Sequence, residues 1–261
     1  MKAPFDLTWR FWRVWQRNLA VYRESWQINF APPLLEPFLY LLAFGVGFSS
    51  MVGPIQYEGR QLSYVSFIAP ALIAINIMNN AFFETTYASF VRMYYQKTFD
   101  ALMATPLTVE EVITGEIVWG ATKTVIATVI MMAVVSLFGL IDYPSGLLLI
   151  PLAFLGGLAF GAIGMYFTGI VKTIELFNLP VFLFVTPMFL FSGTFFPVEN
   201  LPAWAQALAF ILPLTHLVNL CRALSWGIYH SSLLWECLYL IIFCLIFFPL
   251  AIRKMRRRLL K

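Results

Sequence analysis

Long unbroken apolar runs set the character of this chain. Six of them, at about 32–52, 63–91, 112–138, 147–169, 175–196 and 232–252, reach the ~20 residues that a helix needs to cross a bilayer. The stretch before the first run, 5–30, follows another rule. At 100° per residue Phe11, Trp15, Leu19, Tyr22 and Trp26 share a narrow arc, with Arg10, Arg13, Arg17 and Glu24 roughly opposite. A Trp-rich apolar face behind an Arg-rich polar one predicts an amphipathic helix lying in the headgroup layer. Its simplest role is a membrane anchor, and its polar face is also placed to touch a cytoplasmic partner. Pro32, Pro33 and Pro37 mark a bend into the first span, with Glu36 near the membrane boundary.

Two further segments break the pattern. In 92–116, RMYYQKTFDALMATPLTVEEVITGE, the apolar residues Phe99, Leu102 and Met103 recur at i, i+3 and i+4, while Lys97, Asp100 and Ala101 lie elsewhere around the turn. This predicts a short amphipathic helix between two spans, ended by Pro106. Thr108 followed by Glu111 is a capping box that starts the third span, and Glu110, Glu111 and Glu116 suit the positive end of its dipole. The other segment runs from Ser192 to Ser232. It is apolar, yet Pro197, Pro202 and Pro213 cut it into pieces at about 203–212 and 214–224, too short to span. Such pieces are expected to form a re-entrant hairpin dipping into the outer leaflet.

Polar residues inside the runs are few. The second span carries Asn76, Asn79, Asn80 and Glu84, which should face other helices or water. Glu84 lies about two turns in from Arg92, suited to an interhelical hydrogen bond or a gating role. Gly157 and Gly161 in the fourth span have the GxxxG spacing that lets helices approach closely.

Charge then orients the chain. With the N-terminus inside, the inner segments hold Lys2, Arg10, Arg13, Arg17, Arg23, Arg92, Lys97, Lys172, Arg253, Lys254, Arg256, Arg257, Arg258 and Lys261, while the outer loops hold only Arg60 and Arg222. Both termini are therefore read as cytoplasmic. With 61% hydrophobic and 11% charged residues, the 261 residues leave no room for a soluble catalytic domain. The predicted fold class is an all-α polytopic membrane protein: six transmembrane helices, an N-terminal amphipathic interfacial helix over 1–31, and a six-helix domain over 32–261. Within that domain the structured inner loop occupies 92–111 and the outer re-entrant hairpin 193–231. The basic cluster after the last span is expected to sit on anionic lipid. Nucleic acid is not an expected partner, because the basic residues stand where topology needs them.

Catalytic chemistry is sparse, and no catalytic or metal site is predicted. GEIVWGATKT at 115–124 has the glycine spacing of a phosphate loop, but its lysine comes late, at Lys123, and it opens a membrane helix. Cys221, Cys237 and Cys244 suggest neither disulfide nor metal site. His216 and His230 lack a spaced second ligand. A membrane-embedded enzyme acting on lipids or glycans would need Glu84, His216 and Glu236 to converge, though they fall at different depths. An ion-coupled carrier is the other alternative, but the spans show no clear inverted repeat.

The amphipathic N-terminal helix, six spans, structured loop and broken apolar hairpin together resemble the ABC-2 permeases, the membrane subunits of one class of ATP-binding-cassette exporters. FETTYASFVRMYYQKTFDALMATPLTVEEVITGEIVWGATK, from Phe83 to Lys123, is similar to the nodulation-factor (lipo-oligosaccharide) exporter permeases of the NodJ type. SGTFFPVENLPAWAQALAFILPLTHLVNLCRAL, from Ser192 to Leu224, is similar to the second characteristic region of the family. The resemblance implies a half-transporter in a bacterial inner membrane. Two copies would form the path, and two copies of a separate ATPase, carrying the ATP and Mg, would bind beneath, so this chain needs no cofactor of its own. It further implies that the loop after the second span couples to the ATPase, through Tyr95, Lys97, Phe99, Asp100, Leu102 and Met103. The N-terminal helix would add contacts through Arg10, Arg13 and Arg17. Asn76, Asn79, Phe82, Glu84, Phe184, Phe189 and Phe191 are candidates for lining or gating the path. The implied cargo is a lipid-linked or oligosaccharide substrate, or a drug, carried outward.

Overall fold

The computed structural model describes residues 8–48, 53–57 and 59–260. Lys2, Lys261, residues 5–7 of the N-terminal unit and residues 49–52 at the end of the first apolar run lie outside the described residues. Among the described residues, ten helices of six residues or more and one short hairpin follow in order: α1 (Phe11–Glu24), α2 (Trp26–Gly45), β1 (Ile55–Tyr57), β2 (Arg60–Leu62), α3 (Tyr64–Tyr95), α4 (Thr98–Met103), α5 (Val109–Leu137), α6 (Ser145–Thr168), α7 (Ile174–Phe191), α8 (Ala203–Ile211), α9 (Pro213–Ser225) and α10 (Ser232–Leu259). Among the described residues, six helices (α2, α3, α5, α6, α7 and α10) are long and apolar enough to cross a membrane. The chain is a multi-pass membrane protein. The antiparallel pairing of Ile55 with Leu62 and Tyr57 with Arg60 is an addition to the all-helical expectation.

Helix α6 is the centre of the bundle, packed on α3, α5 and α10. Its glycines explain why. A Cβ on Gly157 would stand 2.7 Å from the Ala121 Cα of α5, and one on Gly164 would collide with the Thr85 hydroxyl of α3. Of the GxxxG pair, Gly157 therefore seats α6 on α5, while Gly161 faces Thr85 and Ile117 at ordinary contact distance. Helices α2, α7 and α10 lie at the periphery and expose apolar side chains such as Leu39, Phe182 and Leu245, the surface a hydrocarbon layer covers.

Local signals account for several boundaries. Thr108 accepts from the Glu111 N–H while Glu111 accepts from the Thr108 N–H, the expected capping box at the start of α5. The bent pair falls where its prolines put it: α8 ends before Leu212, α9 starts at Pro213, and the two axes differ by 84°. The first bend differs from expectation. It falls at Ser25, between α1 and α2, and α2 continues through Pro32, Pro33 and Pro37. All three lie beyond the first turn of α2, so each removes an internal i→i−4 hydrogen bond, a loss that spans tolerate where surrounding groups satisfy the freed carbonyls.

Helix α3 is wound as π-helix over Glu84–Ala88 and Val91–Tyr95. Thr85 and Thr86 donate back to the carbonyls of Ala81 and Phe82, and Thr168 of α6 takes the Thr85 carbonyl at 2.7 Å. Hydroxyls that compete for backbone carbonyls loosen the α-ladder there. Lys97, at φ 54°, then turns the chain into α4 through a left-handed residue.

Candidate functional site

The last turns of α3 carry more chemistry than any other part of the protein. Glu84 points into the bundle, where its Oε1 accepts from Arg92 Nη1 at 2.8 Å and Trp119 Nε1 at 3.2 Å, and its Oε2 accepts from Lys123 Nζ at 2.8 Å. Arg92 bridges to a second carboxylate. Its Nη2 and Nε reach Glu116 Oε2 at 2.6 and 2.9 Å. Ser89 donates to the same oxygen at 2.7 Å, and Asn18 of α1 donates to Glu116 Oε1 at 2.8 Å. Two carboxylates and two cations thus form a charge-balanced network between α1, α3 and α5. Glu116 is wholly buried and Glu84 nearly so. Buried carboxylates persist in an apolar setting only when paired and hydrogen-bonded in this way.

Arg92 was read as an inner-surface charge, and the structure shows its side chain largely buried. Its guanidinium turns back along α3 into the network, where Glu84, Glu116 and Ser89 offer it five contacts that water would otherwise supply. Glu84, read as one interhelical partner, serves three donors.

Above this floor lies a cleft of about 770 Å³ between α1–α2 on one side and α3–α5 on the other. Asn79, Asn80, Tyr22, Tyr87, Asn29 and Glu36 line it, with the network beneath. The volume is within the ~300–1,000 Å³ of small-molecule sites. Arg17 leans on Asn18 at 2.9 Å and, beyond the balanced four, adds a cation to the wall that Glu36 also lines. Burial lowers the pKa of its guanidinium, with the Arg92 charge acting the same way and Glu116 opposing, and it remains cationic. Burial, with the Glu84 charge, raises the pKa of the Tyr22 phenol.

Helix α1 reaches this site from the side. Val14 and Asn18 are its buried positions, flanked by Trp15 and Tyr22, whose rings stand edge-on to Trp119 at 6.4 and 5.6 Å. Trp15 also donates to Thr122 at 2.9 Å. Trp26, placed by periodicity on the same stripe, belongs to α2 and is exposed. Gly115 explains the fit of α1, since a Cβ there would meet Val14 at 2.6 Å. The glycines at 115 and 120 are packing positions. Arg10 bonds the Pro106 carbonyl at 2.9 Å, tying α1 to the α4–α5 turn, and Arg13 stays at the surface.

The short helix α4 divides its predicted residues into two sets. Phe99 is wholly buried among Val14, Phe90, Val109 and Val112, and Leu102 and Met103 pack against the same cluster. Their i, i+3, i+4 spacing is the stripe that seats α4 on its own protein. Tyr95, Lys97 and Asp100 face outward together with Tyr94. Of the lining candidates, Phe82 is wholly buried against Phe167 and Phe184, while Asn76 and Phe189 border a cavity of only about 20 Å³. Phe191 is half-buried and meets Trp204 of α8. Asn79 and Glu84 are the two candidates that reach the large cleft.

Other polar residues join where spacing did not indicate it. His216 of α9 meets Glu236 of α10, and Asn219 donates to that carboxylate at 3.0 Å. Glu84 does not join them; it lines the large cleft, and Glu236 lines a separate one. Arg222, counted as an outer-loop charge, is buried: it donates to the Gly193 carbonyl at 2.6 Å and stacks on Phe67 at 3.8 Å. The basic end of α10 is also used internally. Arg256 pairs with Glu110 at 3.1 Å, and Arg258 caps α6 by donating to the carbonyls of Thr168 and Val171.

Comparison with known proteins agrees with this architecture. The sequence profile described as ABC-2 type transporter matches residues 10–226. Nodulation protein J of Sinorhizobium fredii is 33% identical over 252 residues, covering 97% of this chain and 95% of the relative. Nodulation protein J of Rhizobium leguminosarum bv. trifolii is 34% identical over 248 residues, covering 95% and 93%. The inner membrane transport permease YadH of Escherichia coli is 22% identical over 235 residues, covering 90% of each.

Proposed function

The chain belongs to the ABC-2 type transporter family, and we propose that it is an exporter permease whose inner cleft receives the polar head of an amphiphilic substrate. Its standing as a non-enzymatic ABC transporter permease follows from the family, whose members work with an ATP-binding subunit. The observation that carries the finer reading is the cleft itself. It has a charge-balanced floor, amide and phenol walls that also carry Arg17 and Glu36, and it is bounded by α2, a helix that leaves most of its apolar surface exposed. A head group bearing hydroxyls, amides or an anionic group finds partners on that floor while its lipid tail stays beside α2. The NodJ-type resemblance makes the cargo a lipid-linked oligosaccharide or related glycolipid, moved outward.

In this reading both termini are cytoplasmic, the membrane is the bacterial inner membrane, and α8–α9 close the outer side as a re-entrant hairpin. Two copies of the chain line the path, and two ATPase subunits supply ATP and Mg²⁺. The outward residues Tyr95, Lys97 and Asp100 meet the ATPase, and Phe99, Leu102 and Met103 transmit the push because they fix α4 to the inner core. Helix α3 runs without a break from that junction to the cleft, so a displacement of α4 acts directly on Arg92 and Glu84.

The test is ATP-dependent translocation of a fluorescent glycolipid in proteoliposomes holding the chain and its ATPase, read by quenching from the outside. Arg17→Ala and Asn79→Leu should lower transport while leaving ATPase binding intact. Undiminished transport in both variants would remove the cleft from the substrate path.

A further inference from the structure

Two charges on the walls of the inner cleft stand outside the balanced network. Of the charged residues that line it, Glu84, Arg92 and Lys123 belong to that network, with Glu116 beneath them. Arg17 of α1 and Glu36 of α2 remain. They form no ion pair with each other. Arg17 gives one Nη to the Asn18 side chain at 2.9 Å, and Glu36 has no hydrogen bond or ion pair among the described residues.

Glu36 stands midway along α2, on its inward face. Asn29, Pro33, Glu36 and Tyr40 recur at helical spacing, and of these Pro33 is buried and Asn29 lines the cleft. Glu36 also borders the small cavity beside Phe189, so it lies where the cleft narrows into the bundle. A carboxylate in a spanning helix takes its partner from a cavity, because hydrocarbon on the outer side of α2 offers none. Arg92 and Lys123 are already held by Glu84 and Glu116. Arg17 is the converse case. A guanidinium has five N–H groups to give, and Asn18 takes one of them.

An occupant with a single charge would suit one of these walls and leave the other unmet. An occupant with both charges satisfies both, and strands neither in a site closed off by apolar helices. We propose that the head group held in the cleft is zwitterionic, with a primary amine at Glu36 and a phosphate or carboxylate at Arg17. An amine suits Glu36 better than a quaternary ammonium, since its N–H groups make charge-assisted hydrogen bonds to a carboxylate. Hydroxyls or amides of the same head still find Asn79, Asn80 and Tyr87. This assignment takes the cleft to be the substrate site, as proposed above, and adds the charge pattern of the head.

The test holds the full chain in polyoxyethylene detergent, which brings neither sugar nor charge. Dihexanoyl phosphatidylethanolamine is titrated by calorimetry beside dihexanoyl lipids whose head is only an amine, only a phosphate or only a hydroxyl. The zwitterion is expected to bind about tenfold more tightly than any of the other three. Glu36→Gln should weaken the zwitterion and the amine about tenfold and spare the phosphate, while Arg17→Gln should weaken the zwitterion and the phosphate and spare the amine. Glu36→Gln keeps the shape of the side chain, so it reports even if the Arg17 variant does not fold. Phosphoethanolamine without acyl chains should bind at least about tenfold more weakly than the lipid, and equal affinity would overturn the amphiphile. Asn79→Leu probes the cleft itself and should weaken all four lipids. If it does so while the hydroxyl lipid matches the zwitterion, or while Glu36→Gln spares the amine, the cleft stands and the zwitterionic head is overturned. Indifference of all four lipids to all three variants would remove the cleft reading, and this assignment with it.

Discussion

The buried network at the end of α3 makes a stability prediction with a sign that distinguishes it from surface electrostatics. In Glu116→Ala the Arg92 guanidinium loses its contacts at 2.6 and 2.9 Å, and Asn18 and Ser89 lose their acceptor. Glu84 is then one negative charge facing both Arg92 and Lys123. A charge pair at such distances is worth about 4 kcal/mol at an effective dielectric constant of ~20. Removing one partner of a buried pair costs about 3–5 kcal/mol, because the other stays buried and uncompensated. The Glu116 side chain is wholly buried and that of Arg92 is 14% exposed, so little screening discounts this figure. The double variant Glu116→Ala/Arg92→Met removes the stranded cation and leaves Glu84 balanced by Lys123. It should recover more than half of the loss. Equilibrium unfolding in mixed micelles, followed by circular dichroism, measures both. A cost below about 1 kcal/mol for the single variant, the value of an exposed pair, would refute the network as a buried unit. So would a double variant that is worse than the single by the full cost of Arg92→Met alone.

Other consequences follow from single contacts. Gly157→Val should cost about 1–3 kcal/mol by overpacking, since its Cβ would press on the Ala121 backbone of α5; thermal unfolding in detergent reports it. Arg258→Met should lower stability by about 1–3 kcal/mol through two orphaned carbonyls at the end of α6, whereas Arg257→Ala at the exposed position next to it should stay within about 0.5 kcal/mol. Thr108→Ala should cost about 1 kcal/mol by removing the cap of α5, and Thr108→Ser should restore most of it in the same unfolding assay. On α4, Phe99→Ala should destabilise the chain by about 3–5 kcal/mol with its side chain wholly buried, while Lys97→Glu should leave the unfolding midpoint in place and weaken ATPase binding measured by co-purification.

What sequence shows and what it hides divide along sequence distance. The Thr108–Glu111 cap and the Pro213 break lie within four residues of their partners, and local rules place both. Apolar run length likewise marks the six helices long enough to span. The network could not be read this way, because Arg92 meets Glu116 across 24 residues and Asn18 meets Glu116 across 98. Only the excess of acids at the start of α5 hinted at a need for partners. Positional logic also gave no sign that Arg92 and Arg222 have buried side chains, since a cation at the end of an apolar run reads as a loop charge unless a buried acceptor is known. The Phe99–Leu102–Met103 stripe was legible as a stripe. Which surface it covers depends on Val14 and Val112, which reach it from other helices. His216 and Glu236 stand on separate helices with the α9–α10 turn between them, so no spacing rule joins them.

In the proposed function a separate ATPase drives this permease through the outward face of the α3–α4 junction. Its most direct test is purification from native membranes in mild detergent with identification of the co-purifying chains and assay of ATP hydrolysis. A stoichiometric ATPase subunit is expected, lost with Tyr95→Asp and Lys97→Glu while the variant chain remains folded. A folded wild-type chain that is reproducibly alone and without ATPase activity, under conditions that keep other membrane complexes intact, would contradict it.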